Sequence, residues 1–145
     1  MRLLDADILA YALYDESPAH QTAWSHIENH IQQGNKIHVT PITLLETYNT
    51  LYWYYKVRPL KALIQKLSLV LDLLEPTNVD FNGLNIALAE NIPLGDAFLI
   101  ATAQAHKIPV IISNDQHIHK KATQYGLILE NPITPEIRQQ LSDAS

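Results

Sequence analysis

Four acidic residues stand where acids can work together: Asp5, Glu46, Asp96 and Asp115. Asp5 ends the short apolar run Leu3-Leu4, and Asp115 follows Val110-Ile111-Ile112-Ser113. Glu46 lies about one turn into a helix opened by Thr40-Pro41, and Asp96 lies in the first turn of a helix opened at Gly95. Carboxylates gathered in one crevice repel each other strongly where the dielectric is low, so they stay ionised only beside cations. All-oxygen ligands suit Mg²⁺ or Mn²⁺ and not zinc. Such ions activate water and stabilise charge on a phosphodiester undergoing in-line displacement. Each acid also has a plainer reading. An Asp after a strand forms turns, Asp96 can cap its helix, and Glu46 can be a solvated helix residue.

The elements must bring these residues to one place. Leu3-Leu4, Lys36 to Thr40, a segment before Pro76, Val110 to Ser113 and Leu127 to Leu129 read as strands. Leu71 to Glu75 either extends the preceding helix or forms the third strand, and the strand is the favoured reading. Helices are expected over Ile8 to Tyr14, from Ser17-Pro18 to Gly34, from Thr40-Pro41 to Tyr55, from Pro59, over Asp80 to Asn91, from Gly95, over His117 to Tyr125, and after Thr134-Pro135. Ser or Thr before Pro is a cap followed by a first-turn proline. The third helix has a core stripe of Leu44, Leu45, Tyr48, Leu51, Tyr52 and Tyr55. Its other stripe is Thr43, Glu46, Asn49, Thr50 and Trp53. Ala97, Ala101 and Ala105 give the sixth helix a small face for close packing on a sheet. Strand-helix alternation implies a three-layer α/β/α sandwich around a parallel sheet with right-handed crossovers. Ligands of such sheets bind at the carboxyl ends of the strands, which puts Asp5, Glu46 and Asp115 at one mouth. Asp96 joins them if its helix starts at that end.

The whole chain sets bounds. Its 145 residues fit one domain, 1–145, with 47% hydrophobic and 17% charged residues, an ordinary globular balance. Cysteine is absent, which removes disulfides, thiolate zinc sites and cysteine nucleophiles and fits a cytoplasmic setting. No apolar run approaches the ~20 residues of a membrane span. Asp5 and Asp7 interrupt the apolar stretch that an export signal needs. The formal net charge of −5 argues against a broad phosphate-gripping surface. It argues less against an enzyme whose carboxylates hold cations.

Four motifs carry a resemblance, in order along nearly the whole chain. Leu3-Leu4-Asp5-Ala6-Asp7-Ile8-Leu9 resembles the opening of PIN domains, and Thr40-Pro41-Ile42-Thr43-Leu44-Leu45-Glu46 their second motif. Leu94-Gly95-Asp96-Ala97-Phe98-Leu99-Ile100-Ala101-Thr102-Ala103, the most specific match, resembles the third, and Ile112-Ser113-Asn114-Asp115 the fourth. The resemblance implies a metal-dependent endoribonuclease using Mg²⁺ or Mn²⁺. Asp5, Asp96 and Asp115 would hold metal directly, Glu46 would complete the shell, and Ser113 and Asn114 would support it. Size and layout look most like toxin-type members that pair with a small antitoxin. Two positions depart from the pattern. Asp7 stands where an uncharged polar residue is common, and is either a fifth carboxylate or a hydrogen-bonding partner within the site. Ile118 stands where an aromatic is common, which reads as a packing change.

Rival readings follow from other residues. Asp5-Ala6-Asp7 also resembles the DxD of haloacid-dehalogenase phosphatases, with Asp5 as nucleophile. That pattern wants Thr or Val where Leu9 stands, lacks an acid at Ile100, and leaves Glu46 idle. A non-catalytic RNA- or protein-binding module is the third reading, weakened by the complete acid set. His26 and His30 are four apart, as in a zinc helix, but Ile27 occupies the glutamate position of a zincin, and a solvated surface is expected. His117 and His119 face different sides of their helix. Tyr52-Trp53-Tyr54-Tyr55-Lys56-Val57-Arg58 interleaves aromatic and basic residues, fit to stack bases and hold phosphates or, at least as well, to serve helix packing or form a homodimer or antitoxin surface. Lys120 and Lys121 read as a solvated face.

Overall fold

A computed structural model describes residues 1–143. The chain alternates strand and helix. The strands are β1 (Arg2–Leu4), β2 (Ile37–Val39), β3 (Glu75–Pro76), β4 (Val110–Ile112) and β5 (Ile128–Glu130). The helices are α1 (Ala6–Leu13), α2 (His20–Gln32), α3 (Pro41–Asn49), α4 (Leu60–Leu71), α5 (Gly83–Glu90), α6 (Leu94–Ala105), α7 (Gln116–Gln124) and α8 (Pro135–Asp143). A wide π-type turn, Thr50–Tyr54, continues α3.

The strands form one parallel sheet in the order β3-β2-β1-β4-β5. Successive strands run outward from β1 to β3, and β4 then returns to the other side of β1. The switch point of strand order therefore lies between β1 and β4, the crevice where open parallel sheets bind ligands. Both central strands are buried on two faces, which is why they are uninterrupted apolar runs. Leu4 and Ile112 join a core with α1, α2, α3 and α4, whereas Leu3 and Ile111 join a second core with α5, α6 and α7. That alternation, at the two-residue period of a strand, builds the three-layer α/β/α sandwich.

Side-chain caps set where α3 and α8 start. Thr40 accepts from the Thr43 amide at 3.1 Å, with Pro41 in the first turn of α3. Thr134 likewise accepts from the Ile137 amide at 3.2 Å. Gly34 and Gly126 end α2 and α7 with φ of +83° and +76°, a conformation costly for other residues.

Several local expectations are corrected. Ser17 accepts from the Ala19 amide in a separate turn, and α2 starts only at His20. Leu71 belongs to α4, and β3 is only Glu75–Pro76. Leu45 is not core but 59% exposed, while Thr43 and Thr47 are buried in its stead. Their hydroxyls donate to the Leu4 carbonyl at 3.4 Å and the Thr43 carbonyl at 2.7 Å, so burial leaves no unmet polar group. In α6 the packed face is Ala97, Ile100, Ala101 and Ala103, and Ala105 is exposed.

Candidate active site

Asp5 follows β1 and Asp115 follows β4, so the two flank the switch point. Each also caps the helix after it. Asp5 Oδ1 accepts from the Ala6 amide at 2.7 Å, and Asp115 Oδ1 accepts from the His117 amide at 2.8 Å. The positive ends of α1 and α7 thus partly offset the acids. Glu46, from the second turn of α3, and Asp96, from the first turn of α6, complete the wall. One cleft of about 290 Å³ is lined by Asp5, Asp7, Glu46, Asp96 and Asp115, with Tyr11, Thr50 and Tyr55.

Hydrogen bonds hold Asp5, Asp7 and Asp115 in place. Ser113 is fully buried; its hydroxyl donates to Asp5 Oδ2 at 2.6 Å and accepts from the Asp115 amide at 3.0 Å. Asp7 accepts from the Ile8 amide at 2.7 Å and from the Asn114 amide at 3.0 Å. Both its oxygens are therefore held by main chain, and it ties the start of α1 to the loop after β4. Asn114 in turn accepts from the Asn131 side chain at 3.0 Å.

Electrostatics show how crowded the cleft is. Burial and the charges of Asp115 and Asp5 push Asp96 up to about 7. Burial raises Asp5 too, against the lowering hydrogen bonds from Ser113 and Ala6. Asp7 is raised well above the usual carboxylate range by burial and by Asp5. Partial desolvation and Asp5 raise Glu46. A cation placed among them would relieve this repulsion. The donors are carboxylate oxygens, and neither Cys nor His lines the cleft, so the residues fit a hard divalent ion.

All seven residues singled out in the sequence as site or support thus meet at one mouth. Gly95 was not recognised as part of it. A Cβ on Gly95 would lie 2.7 Å from Glu46 Oε2, so only glycine lets that carboxylate sit against the start of α6. The signal in the sequence was the glycine directly before Asp96. Thr43 was missed as well; it joins α3 to the end of β1 beside Asp5.

Away from the cleft, His26 and His30 correct the expectation of a solvated surface. Their side chains are 23% and 12% exposed, and both approach Glu130. Burial lowers the pKa of His26, opposed by Glu130. Glu130 itself is lowered: burial would raise it, but the bonds from Arg2 and His30 prevail. Arg58 stacks on the Tyr52 ring at 3.6 Å and donates to the Tyr52 and Val57 carbonyls, which spends it on local structure. Lys121 pairs with Glu90 at 3.5 Å.

The PIN domain profile matches residues 2–124, and the chain belongs to that family. No curated protein matches the sequence. Solved structures share the fold at low identity. PAE2754 from Pyrobaculum aerophilum is 18% identical with a TM-score of 0.65, covering 98% of this chain and 94% of that one. VapBC2 from Rickettsia felis, bound to a DNA fragment from its promoter, is 20% identical with a TM-score of 0.67, covering 90% and 97%. Mycobacterium tuberculosis VapC20, a Sarcin-Ricin loop cleaving toxin, is 14% identical with a TM-score of 0.64, covering 83% and 95%.

Proposed function

We propose that this chain is a divalent-cation-dependent endoribonuclease, the toxin of a toxin–antitoxin pair, working in the cytoplasm. The observation behind this reading is the convergence of Asp5, Glu46, Asp96 and Asp115 on one cleft, where Asp5, Glu46 and Asp96 have raised proton affinities. Family membership and the fold shared with VapBC2 and VapC20 support it.

In this reading Asp5, Asp96 and Asp115 hold Mg²⁺ or Mn²⁺, and Glu46 completes the shell directly or through water. The ion, when bound, supplies charge stabilisation on the phosphodiester and activation of water. Glu46, the most open of the four acids, orients the attacking water. Ser113 holds Asp5 in place, and Asp7 with the Asn114 amide fixes the loop that carries Asp115. Asp5 and Asp115, each held by hydrogen bonds, need little rearrangement as charge develops.

A phosphatase mechanism through Asp5 is disfavoured, since Leu9 and Ile100 stand where that pattern wants Thr or Val and an acid. Trapping with beryllofluoride should leave Asp5 unmodified. The test of the main reading is cleavage of single-stranded RNA by purified protein. Cleavage should require Mg²⁺ or Mn²⁺ and stop in EDTA. Full activity in metal-free protein would overturn it.

The proposal includes a small antitoxin as partner. Its docking surface is assigned to the exposed Trp53 and Tyr54, next in the chain to Thr50 and Tyr55 of the cleft wall. Cover there would restrict the cleft. Self-association through the same residues is the other expected state. A strictly monomeric protein in sedimentation, with no partner recovered from cells, would count against both.

A further inference from the structure

His26 and His30 stand one turn apart on α2, and Glu130 ends β5 a hundred residues later. The Nε2 atoms of both imidazoles lie 2.6 Å from the same oxygen, Glu130 Oε1. The three ligand atoms are within 4.8 Å of one another. The rings meet edge to face with centroids 4.7 Å apart. His30 makes an aligned hydrogen bond to Oε1, but His26 Nε2 is buried without one. A buried polar atom with no aligned partner is costly and calls for an explanation.

We propose that His26, His30 and Glu130 form a second metal site, separate from the acidic cleft, for a borderline transition cation of the Zn²⁺ type. Two imidazole nitrogens and one carboxylate oxygen match the donor preference of such ions and not of Mg²⁺. With bonds of about 2.0–2.1 Å in a tetrahedron, ligand atoms sit about 3.3 Å apart, so the contacts open by roughly 0.7 Å. Small side-chain rotations supply that. The supporting groups are in place. Arg2 Nε donates to Glu130 Oε2 at 2.8 Å and leaves Oε1 toward the histidines. The Asn35 side-chain amide lies 3.1 Å from His30 Nδ1, and its other rotamer presents an oxygen to the Nδ1 hydrogen of a ligating imidazole. His26 also borders an open cavity of about 380 Å³ with Ser25 and Asn29, which gives an ion a route. Three protein ligands leave a fourth position for water.

Binding would clamp α2 to the last strand. Asn131, next to Glu130, donates to Asn114 at the cleft, so the clamp acts one residue from the wall of the acidic site. The inference does not depend on the nuclease reading.

The probes are Co²⁺ and Zn²⁺ alone, added to the whole protein. Co²⁺ should give the intense visible bands of a four-coordinate, nitrogen-containing site in the parent and in Asp96→Asn. The bands should vanish in His26→Ala and Glu130→Gln. Absent bands in the parent, bands that persist in His26→Ala, or bands lost in Asp96→Asn would overturn the proposal. Should the histidine variants fail to fold, nitrogen-detected NMR of the parent decides. Zn²⁺ should shift the Nε2 signals of His26 and His30 and raise the melting temperature; unshifted signals would refute the site.

Discussion

Asp96 carries the sharpest test of a cation ligand. It does not cap α6, whose N-cap is Pro93 without a side-chain bond, and Asn keeps its shape, so Asp96→Asn should fold. If Asp96 holds a cation, RNA cleavage should fall by about 10²-fold or more, the loss typical of removing one preorganised charge-stabilising group. Near-parental cleavage by folded Asp96→Asn would remove it from the site. Ser113 makes a different prediction because it touches no substrate. Ser113→Ala leaves the buried Asp5 Oδ2 and the Asp115 amide without their shared partner. The change should cost about 1–3 kcal/mol in denaturant unfolding. Activity should fall about 10- to 100-fold, as for lost partners of metal ligands. Unchanged stability and activity together would show that the acids hold their places unaided. These residues were legible in the sequence because each sits at a motif position or directly after a strand. Glu130 was not legible, since its partners lie a hundred residues away and nothing local marks it.

Among the elements, the buried strands and the capped helices were readable, because burial on both faces and cap chemistry leave local patterns. The face of α3 was not. Leu45 and Thr43 look like core and surface by hydropathy, yet the first turns of α3 abut the end of β1, where the Thr43 hydroxyl finds the Leu4 carbonyl. The tertiary partner overrode the local preference, and only the sheet could reveal it. Farther along, where the turn Thr50–Tyr54 widens the helix, the stripes hold: Leu51 is buried and Trp53 exposed, as the periodicity predicts. Two glycines now predict opposite outcomes. Gly95→Ala puts a methyl 2.7 Å from Glu46 Oε2, the end of a side chain that can swing away. Cleavage should drop while thermal stability holds or rises, since Ala suits a helix better than Gly by roughly 0.5–1 kcal/mol. Gly83→Ala instead meets Phe98 Cα at 2.9 Å, where α5 packs on α6. Backbone cannot swing away, so that variant should lose about 1–3 kcal/mol. Equal melting temperatures for the two variants would contradict this account of the packing.

At the scale of the molecule, the acids gather because the sheet changes direction beside β1, and their repulsion becomes a property of the whole fold. The raised pKa values of Asp5, Asp7, Glu46 and Asp96 mean that the folded protein without divalent ions binds more protons than the unfolded chain. For Asp96 the window runs from the ordinary value of 3.8 to about 7. Where the folded state holds more protons, stability falls as pH rises. The His26, His38 and Glu130 shifts work the other way: burial lowers both histidines, and although burial alone would raise Glu130, its Arg2 and His30 bonds bring it down, so all three favour the folded state as pH rises. These three stand against four raised acids that share one cleft, so the acids should set the slope. In EDTA the melting temperature should therefore decline between about pH 4 and 7. Asp96→Asn should flatten the decline and melt higher than the parent at the alkaline end, because one of the repelling charges is gone. Saturating Mg²⁺ should flatten the parent's curve more than that of Asp96→Asn, since binding to the folded state alone stabilises it. The measurement is calorimetric melting of both proteins across that range, with and without Mg²⁺. Parallel curves, unmoved by the ion or by the substitution, would mean that these acids do not act as a charge-repelling, cation-binding group.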